Sequence, residues 1–138
     1  MQIQLIEGNL NSQGYIKILQ DSLLPNIPTL LPQGGFFQQD NAPIHNSKLT
    51  RAFLVENNMQ VMDWPALSPD MNPIENVWAE ISKKLEREKI NNSGQLFTKI
   101  TEIWENLMRN RDYLKNLIDS MPKRVNAMID SKGESTKY

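Results

Sequence analysis

The segment WPALSPDMNPIENVW, residues 64–78, carries the clearest structural signal in the chain. Three of the nine residues from position 65 to 73 are proline, which has no amide hydrogen, so this part is predicted to be an irregular loop. Asn72 is a good helix N-cap, Pro73 suits the first helical position, and Glu75 falls three residues after the cap. A helix is therefore expected to begin here, with Glu75 in its first turn.

A second informative segment, QQDNAPIH at residues 38–45, lies upstream. The phenylalanines before it and the turn-forming letters DNAP predict a short strand over 36–39 that ends at a loop carrying Asp40. Between Asp40 and Glu75 lie 34 residues. In an α/β layer both positions can face the carboxyl end of the sheet, where two carboxylates could share divalent cations. Local pattern leaves another interpretation open, in which Asp40 forms an Asx-turn and Glu75 completes a capping box with Asn72.

The composition narrows the kind of site that this chain can hold. Its 138 residues suit a single domain. There is no cysteine and only one histidine, His45, which excludes disulfides and thiolate zinc sites and argues against an imidazole-rich metal site. A metal would therefore be held mainly by oxygen ligands, as Mg²⁺, Mn²⁺ and Ca²⁺ are.

Composition argues against a membrane protein and leaves any case for nucleic-acid binding to the distribution of charge along the chain. Fifteen basic and sixteen acidic residues give a net charge of −1, so composition makes no electrostatic case for nucleic acid. No apolar run approaches the roughly 18 residues of a membrane helix. The start MQIQLIEGNL lacks the charged and apolar regions of a signal peptide. We therefore expect a soluble, intracellular chain with no membrane partner.

The remaining pattern predicts a mixed first half and a helical second half. The expected elements are strands over 2–7 and 59–64, a helix from Asn11 or Ser12 that is stopped by Pro25 and Pro28, a surface helix over 47–57, and helices from Pro73 to the polar tail. Trp78 and Trp104 lie on apolar stripes and are predicted to be core residues rather than base-stacking ones. We interpret the chain as one α/β domain over 1–110 with a helical extension and polar tail over 111–138.

The two quoted segments, in this order and at this spacing, closely resemble the catalytic domain of mariner-type DNA transposases, which are DDE superfamily endonucleases. The resemblance extends more loosely over residues 1 to about 110, including IEGNLNSQGYIKIL at 6–19. It implies an RNase H-like fold in which Asp40 is the second catalytic carboxylate and Glu75 the third. These residues would hold Mg²⁺ or Mn²⁺, and the partner would be DNA, which is cut by phosphodiester hydrolysis and integrated by strand transfer. On the resemblance alone we expect a nuclear protein, and a homodimer in the full-length family.

One departure from the family pattern affects the expected activity. The first catalytic aspartate should lie on the first strand, but the only aspartate before Asp40 is Asp21, in the middle of a predicted helix. We therefore expect an N-terminally truncated domain that lacks its first two strands and is inactive alone. The strand at 2–7 would then have no partner, and the helix face at Ile16, Leu19 and Leu23 would be left uncovered. Alternatives are a non-catalytic remnant that binds nucleic acid or protein, and a gene remnant without selected function.

Four residues are predicted to contact DNA. His45 either orders the loop after Asp40 or approaches a phosphate; an ordinary turn histidine is the alternative. In KKLEREK, residues 83–89, the helix of Glu75 is expected to continue, and its basic side chains could contact phosphates. These side chains are Lys83, Lys84 and Arg87. The alternative is an ordinary charged face, with Lys84 and Glu88 at i,i+4 spacing. Asp70 is predicted to accept backbone hydrogen bonds, and Asp63 to be solvated.

Overall fold

The computed structural model describes residues 3–31, 34–65 and 68–131. The chain divides into two compact units, Ile6–Leu67 and Ser68–Tyr138, and the segment Gln2–Leu5 groups with the second. Within the described ranges, no helix is long and apolar enough to cross a membrane. The predicted boundary between residues 110 and 111 stays a prediction.

The first unit opens with a continuous helical run of changing type. The Asn11 side chain caps it by accepting a hydrogen bond from the Gly14 amide at 2.9 Å. The run consists of α1 (Ser12–Ile18), a π-helical turn (Leu19–Leu23), a 3-10 turn (Leu24–Asn26) and α2 (Ile27–Leu30). The prediction that Pro25 and Pro28 stop the helix is therefore wrong. Each proline lies in the first turn of a new short segment, where its missing amide breaks no hydrogen bond.

The core of the first unit lies between this run and α3 (Lys48–Glu56), which matches the helix predicted over 47–57. The buried side chains are Leu19, Leu23, Phe53, Leu54 and Met59. Asn58 adopts a left-handed φ of 53° after α3, which turns the chain so that the Met59 amide donates to the Leu54 carbonyl at 2.9 Å. The expectation that the face of Leu19 and Leu23 is uncovered is thus wrong, because α3 and Met59 cover it.

Strand pairing in the described residues is limited to one parallel bridge between Phe37 and Val61. The Phe37 amide donates to the Gln60 carbonyl at 2.7 Å, and the Met62 amide donates to the Phe37 carbonyl at 2.9 Å. The strands predicted over 36–39 and 59–64 therefore meet, but at a single position. Residues 3–7 form no strand in the described chain, since no described neighbour supplies a ladder of backbone hydrogen bonds.

The second unit is helical, as predicted. A 3-10 turn (Pro69–Met71) leads into α4 (Pro73–Leu85), followed by α5 (Ser93–Arg109), α6 (Arg111–Asp119) and α7 (Met121–Asp130). Helices α4 and α5 pack on each other around Val77, Ile81 and Leu107. Trp78 is 41% exposed, so its predicted core position is wrong. Its ring stacks on Trp104, with centroids 5.9 Å apart, instead of entering the core.

Candidate active site

Asp40 lies in the loop that follows the Phe37 bridge, in the first unit. Its Oδ1 accepts a hydrogen bond from the Ala42 amide at 2.9 Å, which is the Asx-turn considered from the sequence. The same oxygen lies 2.5 Å from Nδ1 of His45. An ionised carboxylate can only accept hydrogen bonds, so Nδ1 of His45 carries the hydrogen. Both contacts use Oδ1, and the Asp40 side chain as a whole is 61% exposed.

These contacts keep Asp40 ionised. The hydrogen bond from the Ala42 amide is the largest cause that lowers the pKa of Asp40, and the contact with His45 lowers it further. Partial burial opposes this shift without reversing it. A carboxylate that stays anionic over a wide pH range is a suitable oxygen ligand for a hard divalent cation.

His45 is itself held in place by two residues that sequence patterns did not single out. The Tyr15 ring packs on the imidazole, with centroids 4.3 Å apart and planes inclined by 36°. The Tyr15 hydroxyl donates to Oε1 of Gln39 at 2.9 Å, and Nε2 of Gln39 donates to the His45 carbonyl at 3.3 Å. Burial, and then the charge of Asp40, raises the pKa of Tyr15 to about 12, so the hydroxyl stays protonated. These contacts favour the loop-ordering role that was predicted for His45.

A pocket of about 430 Å³ opens beside Asp40 in the same unit. Its polar lining includes Asp40, Asn41, Arg51 and Asp63, and its apolar lining includes Leu54 and Met59. The Asn41 side chain donates to the Trp64 carbonyl at 2.8 Å, which ties the loop of Asp40 to the segment after Val61. Asp63 is exposed, as predicted. The sequence offered no signal for Arg51, which lies on α3 among ordinary surface charges.

The donor chemistry fits a hard cation, but the described residues do not complete a metal site. They contain no group of three or more His, Cys, Asp or Glu side chains placed to hold a metal ion. Asp40 supplies an ionised oxygen ligand of the type that Mg²⁺ and Mn²⁺ prefer. That Asp40 and Glu75 share a cation stays a prediction, because they belong to different compact units.

Glu75 is the third residue of α4, as predicted, and its side chain is exposed. Asn72 is the N-cap residue, yet its side chain makes no capping hydrogen bond, so this half of the predicted capping box does not form. The Glu75 amide donates to the Asn72 carbonyl at 3.1 Å, which holds the backbone. Among the described residues, no hydrogen bond or ion pair engages the Glu75 carboxylate. This carboxylate is therefore available to a ligand.

The predicted basic cluster is only partly organised. Helix α4 ends at Leu85, so the helix does not continue through residues 83–89 as expected. Lys84 pairs with Glu80 at 3.3 Å rather than with Glu88. Lys83 and Arg87 are exposed, and Arg87 lies in the turn after the helix. The predicted DNA contacts of these residues stay predictions.

The loop before Glu75 is held by a basic residue whose anchoring role the sequence did not predict. Arg124 of α7 is only 3% exposed, and its Nη1 donates to the Asp70 backbone carbonyl at 2.9 Å. Its Nε donates to the Ser120 hydroxyl at 2.8 Å. An arginine is seldom buried unless its donors find acceptors. Helix α7 therefore anchors the 3-10 turn from which α4 begins.

Replacing Asp40 by asparagine is expected to remove an acid-sensitive part of the stability. Because the pKa of Asp40 is lowered on folding, its stabilisation is fully present above the usual aspartate pKa and is lost as the pH falls through the lower folded value. The difference in free energy of unfolding between wild type and Asp40→Asn, from urea denaturation, should shrink below about pH 4. Asp63→Asn is the control, and a difference that does not change with pH would contradict the prediction.

Comparison with known proteins identifies the family. Residues 3–97 match the family described as DDE superfamily endonuclease. The chain is 32% identical over 136 residues to the transposable element Tc1 transposase of Caenorhabditis elegans and to the Tcb1 transposase of Caenorhabditis briggsae. Each match covers 99% of this chain and 49% of the relative. The chain thus spans about half the length of the curated relatives it matches.

Solved structures show the fold. The Mos1 transposase catalytic domain with raltegravir and Mg matches with a TM-score of 0.75 at 19% identity, covering 95% of this chain and 67% of that one. The Mos1 mariner paired end complex with Mn matches with a TM-score of 0.78 at 18% identity, covering 95% and 39%. The expected RNase H-like fold class is confirmed by this likeness, although the described part is mostly helical. The resemblance noted from the two sequence segments is also confirmed, and the chain belongs to the DDE superfamily endonucleases.

Proposed function

We propose that this chain serves as part of the catalytic domain of a Tc1/mariner-type DNA transposase, with Asp40 and Glu75 as its second and third catalytic carboxylates. The observation that carries the proposal is the Asp40 carboxylate, held ionised through one oxygen by Ala42 and His45. This arrangement gives the anion a defined orientation, and the described contacts leave Oδ2 to a ligand. The motif spacing and the relatives, which are transposases, support the same function.

Asp40 and Glu75 have complementary roles in this proposal. Asp40 offers a rigid oxygen ligand on an anchored loop, and Glu75 offers an exposed carboxylate at the start of α4. Each of these carboxylates would supply an oxygen ligand to Mg²⁺ or Mn²⁺, which would activate the attacking oxygen and stabilise the leaving oxygen in phosphodiester chemistry. The basic residues Lys83 and Arg87 are exposed and can contact DNA phosphates.

Manganese binding tests the proposed carboxylates directly. Titration of the 138-residue chain with Mn²⁺, followed by electron paramagnetic resonance, should show binding that Asp40→Asn and Glu75→Gln each weaken by about tenfold or more, because each variant loses an ionised ligand. Glu56→Gln, an exposed glutamate at the end of α3, should bind as wild type does. Equal affinity in all four proteins, or no binding at all, would refute the metal-ligand roles.

We also propose that the 138 residues by themselves neither nick nor join DNA, because they contain two of the three carboxylates that the family chemistry uses. Incubation with supercoiled plasmid in Mn²⁺ should leave the plasmid intact. Nicking that disappears in Asp40→Ala and Glu75→Ala would show that another residue, Asp63 or Asp70 first, completes the site. DNA binding that is equal with and without Mn²⁺ and unchanged in both variants would instead favour a non-catalytic nucleic-acid-binding module.

The DNA-binding residues are tested by salt dependence. Each phosphate contact contributes about 0.9 to the slope of log affinity against log salt concentration on duplex DNA. The variant with Lys83, Lys84 and Arg87 all replaced by glutamine should lower this slope by about 2 to 3. Replacing Lys115, Lys123 and Arg111 by glutamine is the charge-matched control and should leave it unchanged.

Nuclear location and a homodimer across paired DNA ends are further parts of the proposal, and both rest on the family resemblance. Imaging of a fluorescently tagged chain tests the first. Sedimentation with and without duplex DNA tests the second. A tagged chain excluded from the nucleus, or a strict monomer on DNA, would remove that part of the proposal.

A further inference from the structure

The orientation of Asp40 depends on His45, and this dependence raises the question of what fixes the imidazole. Asp40 lies in a loop without regular secondary structure and is largely exposed, so its side chain has several rotamers within reach. The Ala42 amide holds one oxygen. Nδ1 of the His45 side chain contacts the same oxygen, but only while that face of the imidazole is turned toward Asp40. A flip of the ring would put carbon where nitrogen is needed.

Tyr15 restricts the orientation of the His45 ring by packing against it. Its ring packs on the imidazole, with centroids 4.3 Å apart, and is partly buried against the hydrophobic core of the first unit. The His45 side chain is consequently only 21% exposed, although its partner Asp40 is largely exposed. A ring held between a core aromatic and a carboxylate has few orientations available. Tyr15 therefore links the exposed loop of Asp40 to the packed core and restricts the motion of His45.

Gln39 joins the tyrosine and the histidine into one connected group. Its amide accepts from the Tyr15 hydroxyl at 2.9 Å and donates to the His45 carbonyl at 3.3 Å. The side chain of His45 is thus held by the Tyr15 ring, and its backbone by Gln39. Both supports originate at Tyr15 on α1, which precedes the loop by more than twenty residues in the sequence.

We propose that Tyr15, together with Gln39, is a positioning residue for the Asp40 carboxylate and acts through His45. Neither residue is a ligand or a reacting group. Tyr15 keeps Nδ1–H of His45 directed at Oδ1 of Asp40, and so keeps Oδ2 directed at the ligand. The consequence for metal affinity rests on the proposed function, whereas the consequence for the state of the imidazole does not.

The single histidine makes this proposal directly observable. In a two-bond proton–nitrogen NMR spectrum recorded at alkaline pH, the only imidazole signals come from His45, the single histidine of the chain. A free neutral imidazole favours the tautomer with hydrogen on Nε2. The wild-type chain should show the Nδ1–H tautomer instead, since Asp40 accepts from that atom.

Variants then separate positioning from general destabilisation. Tyr15→Leu should shift the imidazole nitrogens toward the free tautomer mixture and weaken Mn²⁺ binding on the order of tenfold, as loss of outer-shell support does. Tyr15→Phe keeps the ring contact and should retain most of the Nδ1–H tautomer. Gln39→Leu, which leaves the core untouched, should have an intermediate effect. Tyr113→Phe, in the second unit, is the matched control and should leave the imidazole spectrum as in wild type.

Each outcome has a definite meaning. A folded Tyr15→Leu chain with an unchanged imidazole spectrum would overturn the proposal, and if that variant does not fold, an unchanged spectrum in Gln39→Leu combined with Tyr15→Phe would do so. Loss of the Nδ1–H tautomer with the circular dichroism spectrum retained supports it. If wild type binds no Mn²⁺ but the tautomer responds to Tyr15 as described, the proposed metal function fails while the positioning role stands.

Discussion

The Leu54→Ala variant should unfold with a free energy lower than wild type by about 3 to 5 kcal/mol, the usual cost of removing a fully buried leucine side chain. Leu54 is 2% exposed and lies in the buried cluster with Leu19, Leu23, Phe53 and Met59. Alanine would leave a cavity between α1 and α3, since neighbours fixed at both ends relax only in part. Urea denaturation followed by circular dichroism, with hydrogen exchange of the α3 amides, measures the loss.

Val55 provides a neighbouring control on the same helix. It is 74% exposed, so Val55→Ala removes little buried surface and should change the free energy of unfolding by no more than about 0.5 kcal/mol. Equal losses of unfolding free energy in Leu54→Ala and Val55→Ala would mean that the buried face of α3 is assigned wrongly. Leu54 and Met59 also line the pocket beside Asp40, so Leu54→Ala should also weaken the packing around that pocket.

Elements with local signals were predictable from the sequence. The start of α4 at Asn72 and Pro73 follows from cap and proline preferences that act within one turn. The helix predicted over 47–57 appears as α3 for the same reason, since the Ser47 hydroxyl caps it by accepting from the Thr50 amide at 3.1 Å. Signals of this kind depend only on residues a few positions apart.

Elements that depend on distant partners were not predictable. The segment at 3–7 alternates as a strand does, but a strand also requires a neighbour to receive its backbone hydrogen bonds. Trp78 lies on an apolar stripe, yet whether such a ring enters the core depends on the shape of α5, which offers Trp104 for stacking instead. Pro25 does not end the helical run because it lies in the first turn of a new 3-10 segment, where its missing amide breaks no hydrogen bond.

The contacts of the candidate site also divide into local ones, which the sequence predicts, and tertiary ones, which it does not. The contacts of Asp40 with Ala42 and His45 join residues two and five positions apart, within a motif that the sequence displays. Tyr15 reaches His45 only because α1 and α3 pack together, a tertiary arrangement that local pattern does not contain. Periodicity placed Tyr15 on a helix, and nothing in that periodicity connects the residue to a loop so far along the chain.

Arg124→Met should destabilise the second unit by about 2 to 4 kcal/mol. The methionine keeps most of the apolar stem but removes both donors, which leaves the Asp70 carbonyl and the Ser120 hydroxyl without the charged partner they have in the wild type. Arg124→Lys should recover only part of the loss, since one ammonium group cannot reproduce a planar fork that reaches two acceptors. Urea denaturation of the three proteins measures these differences.

The amides that lose protection from hydrogen exchange in Arg124→Met show whether Arg124 anchors one turn or supports the packing of the whole second unit. Without Arg124, the 3-10 turn before α4 loses its attachment to α7. The amides of Met71 and Asn72 should therefore exchange with solvent faster than in the wild type, whereas those in the middle of α5 should keep their wild-type rates. Lys123→Met removes an exposed cation from the adjacent position and should change neither stability nor exchange. Uniformly faster exchange across the second unit in Arg124→Met would show that the arginine supports the whole bundle. Exchange that is faster only before α4 would show that α7 holds the backbone from which Glu75 projects.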